Sequence, residues 1–284
     1  MQNDSPLSLS ISVVCFNSTE LELHTLVSSL LESMRDLRNS FELASVPLFL
    51  IDNSEPNNLS LSLFDDLKGE LDDQAVELRL VHGHGNIGYG SGHNLVLEKL
   101  TSHYHLMLNP DVRVEKNCLL SGLTFLQTSN EVGMISPYAE YDDGRKQYLC
   151  KRYPSVLTFT IRGFFPNFIK RIFSERLARF EMRDLAEDQP SLDIPIISGC
   201  FMLCRTNVLK DVNGFDEDYF LYFEDFDLSL RIGKLAKLAY VPAMRIQHDG
   251  GHAARKGWPH LKMFAKSGRR FFSTHGWRFF SQSS

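Results

Sequence analysis

Short apolar runs alternate with longer amphipathic stretches through the first half of the chain, and this rhythm restricts the fold more than any single motif. ISVVCF (11–16), PLFLID (47–52), VELRLVH (76–82) and HLMLNPDV (105–112) have the length and composition of strands. A helix from about Glu20 to Leu37, a polar stretch and a helix from Gly92 to Leu100 separate them. A further helix near Asn117 to Thr128 and a strand VGMISP (132–137) continue the series. Such alternation predicts an α/β fold built on a Rossmann-like sheet with helices on both faces. Ligands of these sheets bind beyond the carboxyl ends of the strands. Three of those ends carry polar residues: Asn17-Ser18, Asp52-Asn53-Ser54 and Asn109-Pro110-Asp111.

From Tyr141 to Pro195 the rhythm breaks. The stretch opens on a turn at Asp142-Asp143-Gly144 and continues with aromatics interleaved with bases. Beyond it, a strand over 196–205, a short helix over 206–212, an acidic helix near 224–235 and strands around 238–241 and 244–248 complete a single mixed sheet. The tail reads as an amphipathic helical extension with a basic aromatic end. Residues 1–250 are therefore expected to form one domain, divided near 137, with 251–284 as a C-terminal basic extension.

The formal charge of −5 over 284 residues argues against nucleic acid as a partner. It hides two basic regions, 145–183 and 255–284. Five cysteines without CxxC spacing indicate neither a disulfide framework nor a zinc site. The start, MQNDSPLSLSISVVCF, lacks a basic leader with a long apolar core, and no later run is apolar enough to span a bilayer. A cytoplasmic protein is expected, peripheral on the inner face of the membrane, because 159–183 and 255–280 set Phe and Trp among Arg and Lys.

The densest chemistry lies between Ser198 and Arg231, where an apolar strand runs into Asp216, Glu217, Asp218, Glu224, Asp225 and Asp227 among Phe and Tyr. Aromatic neighbours desolvate a carboxylate and can bring its pKa near working pH, as a general base requires. An ordinary acidic first turn of a helix would carry the same residues. HGHGNIGYGSGHN (82–94) contains Gly83-x-Gly85-x-x-Gly88, formally a dinucleotide fingerprint, but it follows the third strand, and the next strand ends in Asn109-Pro110-Asp111. Asp111 and His248 are each commonplace alone. On neighbouring strand ends they could share a divalent ion, with substrate diphosphate supplying more oxygens.

SVVCFNS, LIDNS, GNIGYGSGHN, LNPDV, SGCFMLCR, GFDEDYFLYFEDFDLSLR and HDGGHAARK, in that order, resemble the family 2 glycosyltransferases of the GT-A fold, especially bacterial polysaccharide rhamnosyltransferases. The resemblance covers roughly residues 8 to 275. It implies an inverting transferase with a nucleotide-sugar donor, dTDP-L-rhamnose, and a lipid-linked or lipopolysaccharide glycan acceptor. Residues 1–137 would be the nucleotide-sugar half and 138–250 the acceptor half. Asp225 is the implied base, with Glu224 placing the acceptor or the base. Asn17, Asp52, Asn53, Gly88, Gly92, Asn94, Asn109, Asp111 and Arg255 would bind the donor, and Mg²⁺ or Mn²⁺ would sit at Asp111 and His248. The Asp-x-Asp metal motif of such enzymes stands here as Asn109-Pro110-Asp111, with only its last carboxylate. A UDP-sugar donor, and a nucleotide-dependent oxidoreductase built on the Gly83 loop, are the alternatives.

Overall fold

The computed structural model describes residues 6–57, 59–165, 167–250 and 257–279. In chain order the elements are β1 (Leu9–Cys15), α1 (Glu20–Ser40), β2 (Val46–Asp52), a 3-10 segment (Leu61–Leu67), α2 (Lys68–Asp73), β3 (Val76–Val81), α3 (Tyr89–Asn94), a 3-10 turn (Leu97–Lys99), β4 (Tyr104–Leu108), β5 (Val112–Val114), α4 (Cys118–Thr128) and β6 (Val132–Glu140). There follow β7 (Lys146–Gln147), β8 (Cys150–Lys151), α5 (Val156–Phe164), α6 (Asn167–Ile172), α7 (Ser174–Phe180), β9 (Ile196–Ile197), β10 (Phe201–Arg205), α8 (Thr206–Asp211), α9 (Glu224–Ile232), β11 (Lys237–His248) and α10 (Gly257–His275).

The main sheet runs β3-β2-β1-β4-β10-β6-β11-β5, with β7 paired to β6. β1 to β4 are mutually parallel, and β10 and β5 are antiparallel to their neighbours. Alternation along β1 sorts its side chains: Leu9, Ile11 and Val13 join the core formed with α1 and α4, and Ser10, Ser12 and Val14 face the opposite layer. There the two serines meet His105 and His93. Ser10 Oγ is 2.8 Å from His105 Nδ1, and Ser12 Oγ is 2.8 Å from His105 Nε2 and 2.7 Å from His93 Nδ1. Burial keeps both rings neutral, with the His105 pKa driven down to about 3. A third cluster, of Phe159, Phe180, Tyr219, Phe223, Phe226, Phe271 and Phe272, binds α5, α7 and α10 to α9.

Local chemistry sets the ends of the elements. Thr19 caps α1 reciprocally with Glu22, its hydroxyl accepting from Glu22 N–H at 3.2 Å and its own N–H donating to the Glu22 carboxylate at 2.7 Å. The expected turn at 142–144 is present, with Gly144 at φ 78° donating to the Tyr141 carbonyl. Three expectations need correction. The helix expected over Gly92 to Leu100 begins at Tyr89, whose N–H bonds to the Phe220 carbonyl, and gives way after Asn94 to the 3-10 turn. The strand expected over 196–205 is two strands, because Ile196–Ile197 pairs with β8 whereas Phe201 onward pairs with β4 and β6. Conversely, 238–241 and 244–248 are one strand, whose register with β6 shifts between Val241 and Arg245. Pro242, which has no N–H to donate, lies in that shift. The expected division near 137 falls inside β6.

Candidate active site

Parallel pairing brings the carboxyl ends of β1, β2, β4, β6 and β11 to one edge of the sheet, together with the amino ends of β5 and β10. Between β1 and β2 this edge opens into a cavity of about 450 Å³ lined by Cys15, Asn17, Asp52, Ser54 and Leu59 among others. Asn17, at φ 51°, donates its N–H to Ser54 Oγ at 2.8 Å. The buried Asp52 carboxylate accepts from Ser54 N–H at 2.9 Å and Leu59 N–H at 3.2 Å, which shapes the cavity wall. Asn53 turns away from it. Its amide donates to the Gly88 carbonyl at 2.9 Å, and its Oδ1 lies 2.8 Å from His84 Nε2.

The glycine loop has a packing task. A Cβ on Gly88 (φ 92°) would stand 2.2 Å from the Phe220 carbonyl oxygen, and one on Gly92 would stand 2.8 Å from Val14. The backbone approach that glycine permits is used by this chain's own 220 segment, and α3 has only six residues. Asn94 accepts from Phe215 N–H at 2.9 Å and donates to its carbonyl at 2.8 Å. Of the residues expected at the nucleotide, Asn17 and Asp52 line the cavity, whereas Gly88 and Asn94 hold α3 against the 215–220 segment and Gly92 lets α3 approach Val14 of β1. In the Gly83-x-Gly85-x-x-Gly88 loop, the last glycine is thus packed against the Phe220 backbone, which counts against the dinucleotide reading.

Asp111 and His248 do meet, because Val112 pairs with His248 across β5 and β11. Asp111 Oδ1 is 3.4 Å from His248 Nε2, and Asn109 Nδ2 is also 3.4 Å from that nitrogen. Burial pushes the Asp111 carboxyl up, but the His248 ring and local hydrogen bonds outweigh it and hold the carboxyl below its ordinary value. Two ligands at right angles around one ion, with bonds near 2.1 Å, stand about 3 Å apart, so the pair fits a shared cation with small adjustment. Among the described residues no group of three His, Cys, Asp or Glu side chains could enclose a metal alone. Other oxygens would have to come from substrate or water. Arg255, with Lys256 and the rest of that motif from Gly251, lies outside the described residues.

Consecutive residues tie this pair to the acidic helix. The Cys200 carbonyl accepts from Asn109 N–H at 3.0 Å, and Gly199 N–H donates to Asp225 Oδ2 at 2.9 Å. Asp225 Oδ1 accepts from its neighbour Phe226 N–H at 2.9 Å. Burial raises the Asp225 carboxyl to about 6, against the pull of those N–H groups and the Lys151 ammonium. Glu224 is 5% exposed, its Oε2 has no hydrogen-bond partner among the described residues, and burial followed by the Asp225 charge lifts its pKa well above the ordinary value. Tyr222 and Phe223 reach α9 at φ 71° and 68°, backbone that non-glycine residues rarely adopt and that surrounding contacts must hold. α10 supplies such contacts: Ser267 Oγ donates to the Leu221 carbonyl, Tyr222 Oη lies 2.9 Å from His260 Nδ1, and Arg270 pairs with Asp216 and Asp218.

Several working residues escaped the sequence reading. Gly199 is one, since a Cβ there would lie 3.2 Å from the Tyr89 ring and 3.3 Å from Asp225 Cβ. Tyr89 donates to the Gly199 carbonyl at 2.5 Å, and Lys151, from β8, brings a buried cation near the base. Asp227, in the same acidic motif, is structural: it is buried between Arg231 Nε at 2.6 Å and His275 Nε2 at 2.7 Å and so clamps α10 to α9. All five cysteines are free and buried.

No family model matches the chain. N-acetylglucosaminyl-diphospho-decaprenol L-rhamnosyltransferase of Mycobacterium tuberculosis is 27% identical over 215 residues, 70% of this chain and 69% of that protein. Rhamnosyltransferase WbbL of Escherichia coli is 29% identical over 181 residues, 59% of this chain and 63% of its own length. Solved structures agree on the fold. GalNAc-T7 with UDP, GalNAc and Mn²⁺ superposes on 94% of this chain with TM-score 0.60 and 16% identity, and this chain spans 48% of its length. Staphylococcus aureus TarS with UDP gives 0.54 and 14% over 94% of this chain and 72% of its own. The mannosyltransferase PcManGT of Pyrobaculum calidifontis, with GDP-Man and Mn²⁺, gives 0.56 and 15% over 92% and 64%. The solved neighbours show that the fold is that of GT-A glycosyltransferases, and the relatives named for rhamnosyl transfer make this chain a glycosyltransferase similar to the family 2 rhamnosyltransferases.

Proposed function

We propose that the chain is an inverting transferase that moves L-rhamnose from dTDP-L-rhamnose onto a lipid-linked or lipopolysaccharide glycan. The observation that carries the proposal is that the adjacent residues Gly199 and Cys200 bond to Asp225 and to Asn109, which neighbours the Asp111–His248 pair, so that base and pair share a single sheet edge. Inversion needs a base on one side of the anomeric carbon and charge compensation for the departing diphosphate on the other. Asp225 takes the proton from the acceptor hydroxyl as its oxygen attacks, a contribution of ~10²–10⁴-fold. Glu224, whose carboxyl is pushed well up by burial, hydrogen-bonds the acceptor or the base. Asn17 and Asp52 hold the nucleoside in the cavity between β1 and β2. Asp111 and His248 would hold Mg²⁺ or Mn²⁺, which supplies positive charge to the diphosphate oxygens.

The donor reading is supported by relatives named as rhamnosyltransferases. TarS, solved with UDP, keeps a UDP-sugar donor as the second reading. The acceptor reading is supported by the name of the mycobacterial relative, which specifies a diphospho-decaprenol substrate.

Peripheral attachment to an anionic membrane fits the same acceptor. No helix among the described residues is long and apolar enough to cross a membrane. Residues 144–174 and 250–284 contain no Asp or Glu. Phe159, Phe271 and Phe272 are core residues, but Phe168, Ile172, Trp258, Trp277 and Phe279 are exposed beside Lys170, Arg171 and Arg278. Incubation with dTDP-L-rhamnose and a panel of UDP- and GDP-sugars, with and without a lipid-linked N-acetylglucosamine acceptor, tests the proposal. Divalent-ion-dependent rhamnosyl transfer from dTDP-L-rhamnose is expected. Transfer only from another donor overturns the sugar assignment, and full turnover in excess EDTA overturns the role of the ion.

A further inference from the structure

Gln147 lies on β7, against the end of β6, and is buried. Its side chain grips His248 at two points. Nε2 donates to the His248 backbone carbonyl, and Oε1 stands 2.8 Å from His248 Nδ1. A carbonyl can only accept, so the amide must turn its NH₂ toward it, which leaves Oε1 for the ring. Oε1 also only accepts, so Nδ1 must carry a proton. A neutral imidazole has one N–H, and Nε2 therefore keeps its lone pair, 3.4 Å from Asp111 Oδ1. Donor and acceptor inventory thus puts a proton on Nδ1 and turns Nε2 to Asp111, where the ring carries either a lone pair or a second proton that a bound cation would displace.

We propose that Gln147 is a positioning residue that fixes His248 in the one tautomer and ring orientation able to bind a divalent cation shared with Asp111. The proposal rests on the metal reading of that pair given above. Outer partners of this kind orient metal-binding histidines through their second nitrogen, and their loss typically costs 10–100-fold in metal affinity. Gln147 is not itself within the expected reach of the ion. A purely structural role, closing the short β7 strand onto β11, would show as lost stability without a specific loss of metal.

The test is Mn²⁺ binding followed by electron paramagnetic resonance, with and without saturating dTDP, alongside melting temperature. Gln147→Leu, which keeps the volume and removes both hydrogen bonds, should weaken Mn²⁺ binding 10–100-fold. Gln147→Glu, which still accepts from Nδ1–H but gives up the bond to the His248 carbonyl, should bind Mn²⁺ clearly more tightly than Gln147→Leu. Gln147→Met replaces Gln147→Leu if the latter does not fold. Unchanged Mn²⁺ binding in Gln147→Leu, with loss in Asp111→Ala, overturns the role of Gln147 alone. Absence of Mn²⁺ binding in the unmodified protein removes the metal reading and this inference together. Equal weakening in Gln147→Leu and Gln147→Glu assigns the residue to structure only.

Discussion

Asp225→Asn should remove activity and make the protein more stable at neutral pH. The Asp225 carboxyl sits near 6 in the fold against an ordinary 3.8, burial being the largest cause. A carboxyl raised on folding lends stability below its unfolded pKa and loses it as pH rises through the folded value. That difference, at about 1.4 kcal/mol for each tenfold change in proton affinity, means that ionising Asp225 costs the native state ~3 kcal/mol above pH 6. An asparagine avoids this cost but has one acceptor oxygen for two N–H groups, those of Gly199 and Phe226. The lost bond costs about 1 kcal/mol. The net expectation is a gain of ~2 kcal/mol at pH 8 that vanishes between about pH 4 and 5, where the cost of ionising Asp225 has fallen to about that of the lost bond, and that reverses at lower pH. Urea unfolding of both proteins at pH 4.5 and pH 8 measures it, and transfer at saturating donor and acceptor should fall by ~10²–10⁴-fold in the variant. A variant less stable at pH 8, or a difference that does not change with pH, would refute the argument that burial of this charge is what tunes the base.

Glu224→Gln keeps shape and hydrogen bonding, so it should retain transfer within about tenfold and leave the acid limb of the pH–rate profile, set by Asp225, near 6, whereas Glu224→Ala should lose far more; equal losses would show that the side chain's hydrogen bonding is irrelevant. Gly199→Ala puts a Cβ 3.2 Å from Tyr89 and 3.3 Å from Asp225 Cβ, and displacing the base by a fraction of an ångström should lower kcat by up to ~10²-fold with little change in donor KM. A rise in KM at constant kcat would contradict it. The protein should float with anionic but not neutral vesicles at low salt and be released by high salt, since each basic residue near such a surface adds ~1 kcal/mol; absence from both vesicle fractions at low salt would leave the basic aromatic segments without a membrane role.

The sheet was legible where one period ruled. β1, β2 and β4 are buried on both faces, and their apolar runs end where the strands end. Strand breaks set by partners were not legible. Nothing in the run from Ile196 to Arg205 announces that Ile197 pairs with β8 and Phe201 with β4, and the Gly199 turn that receives Asp225 lies in that break. Asp111 and His248 could be brought together from strand order, because strand ends carry side chains to a predictable edge. The glycine loop misled, since glycine permits close approach without saying to what, and here the neighbour is the Phe220 backbone. Likewise three acids of one helical motif part company only in three dimensions: Asp225 faces Gly199, Glu224 buries its Oε2 without a hydrogen-bond partner among the described residues, and Asp227 joins Arg231 and His275. Gln147 was invisible because its partner lies a hundred residues away on another strand.

The account stands or falls on direct attack by an acceptor hydroxyl deprotonated by Asp225. The anomeric configuration of the transferred sugar, read from the one-bond carbon–hydrogen coupling at its C1 in the isolated product, tests this most directly. A configuration opposite to that of the nucleotide-sugar donor is expected, with no sugar found attached to the protein by intact mass. Retention of configuration, or a glycosyl adduct on Asp225, would contradict the assignment of Asp225 as a base.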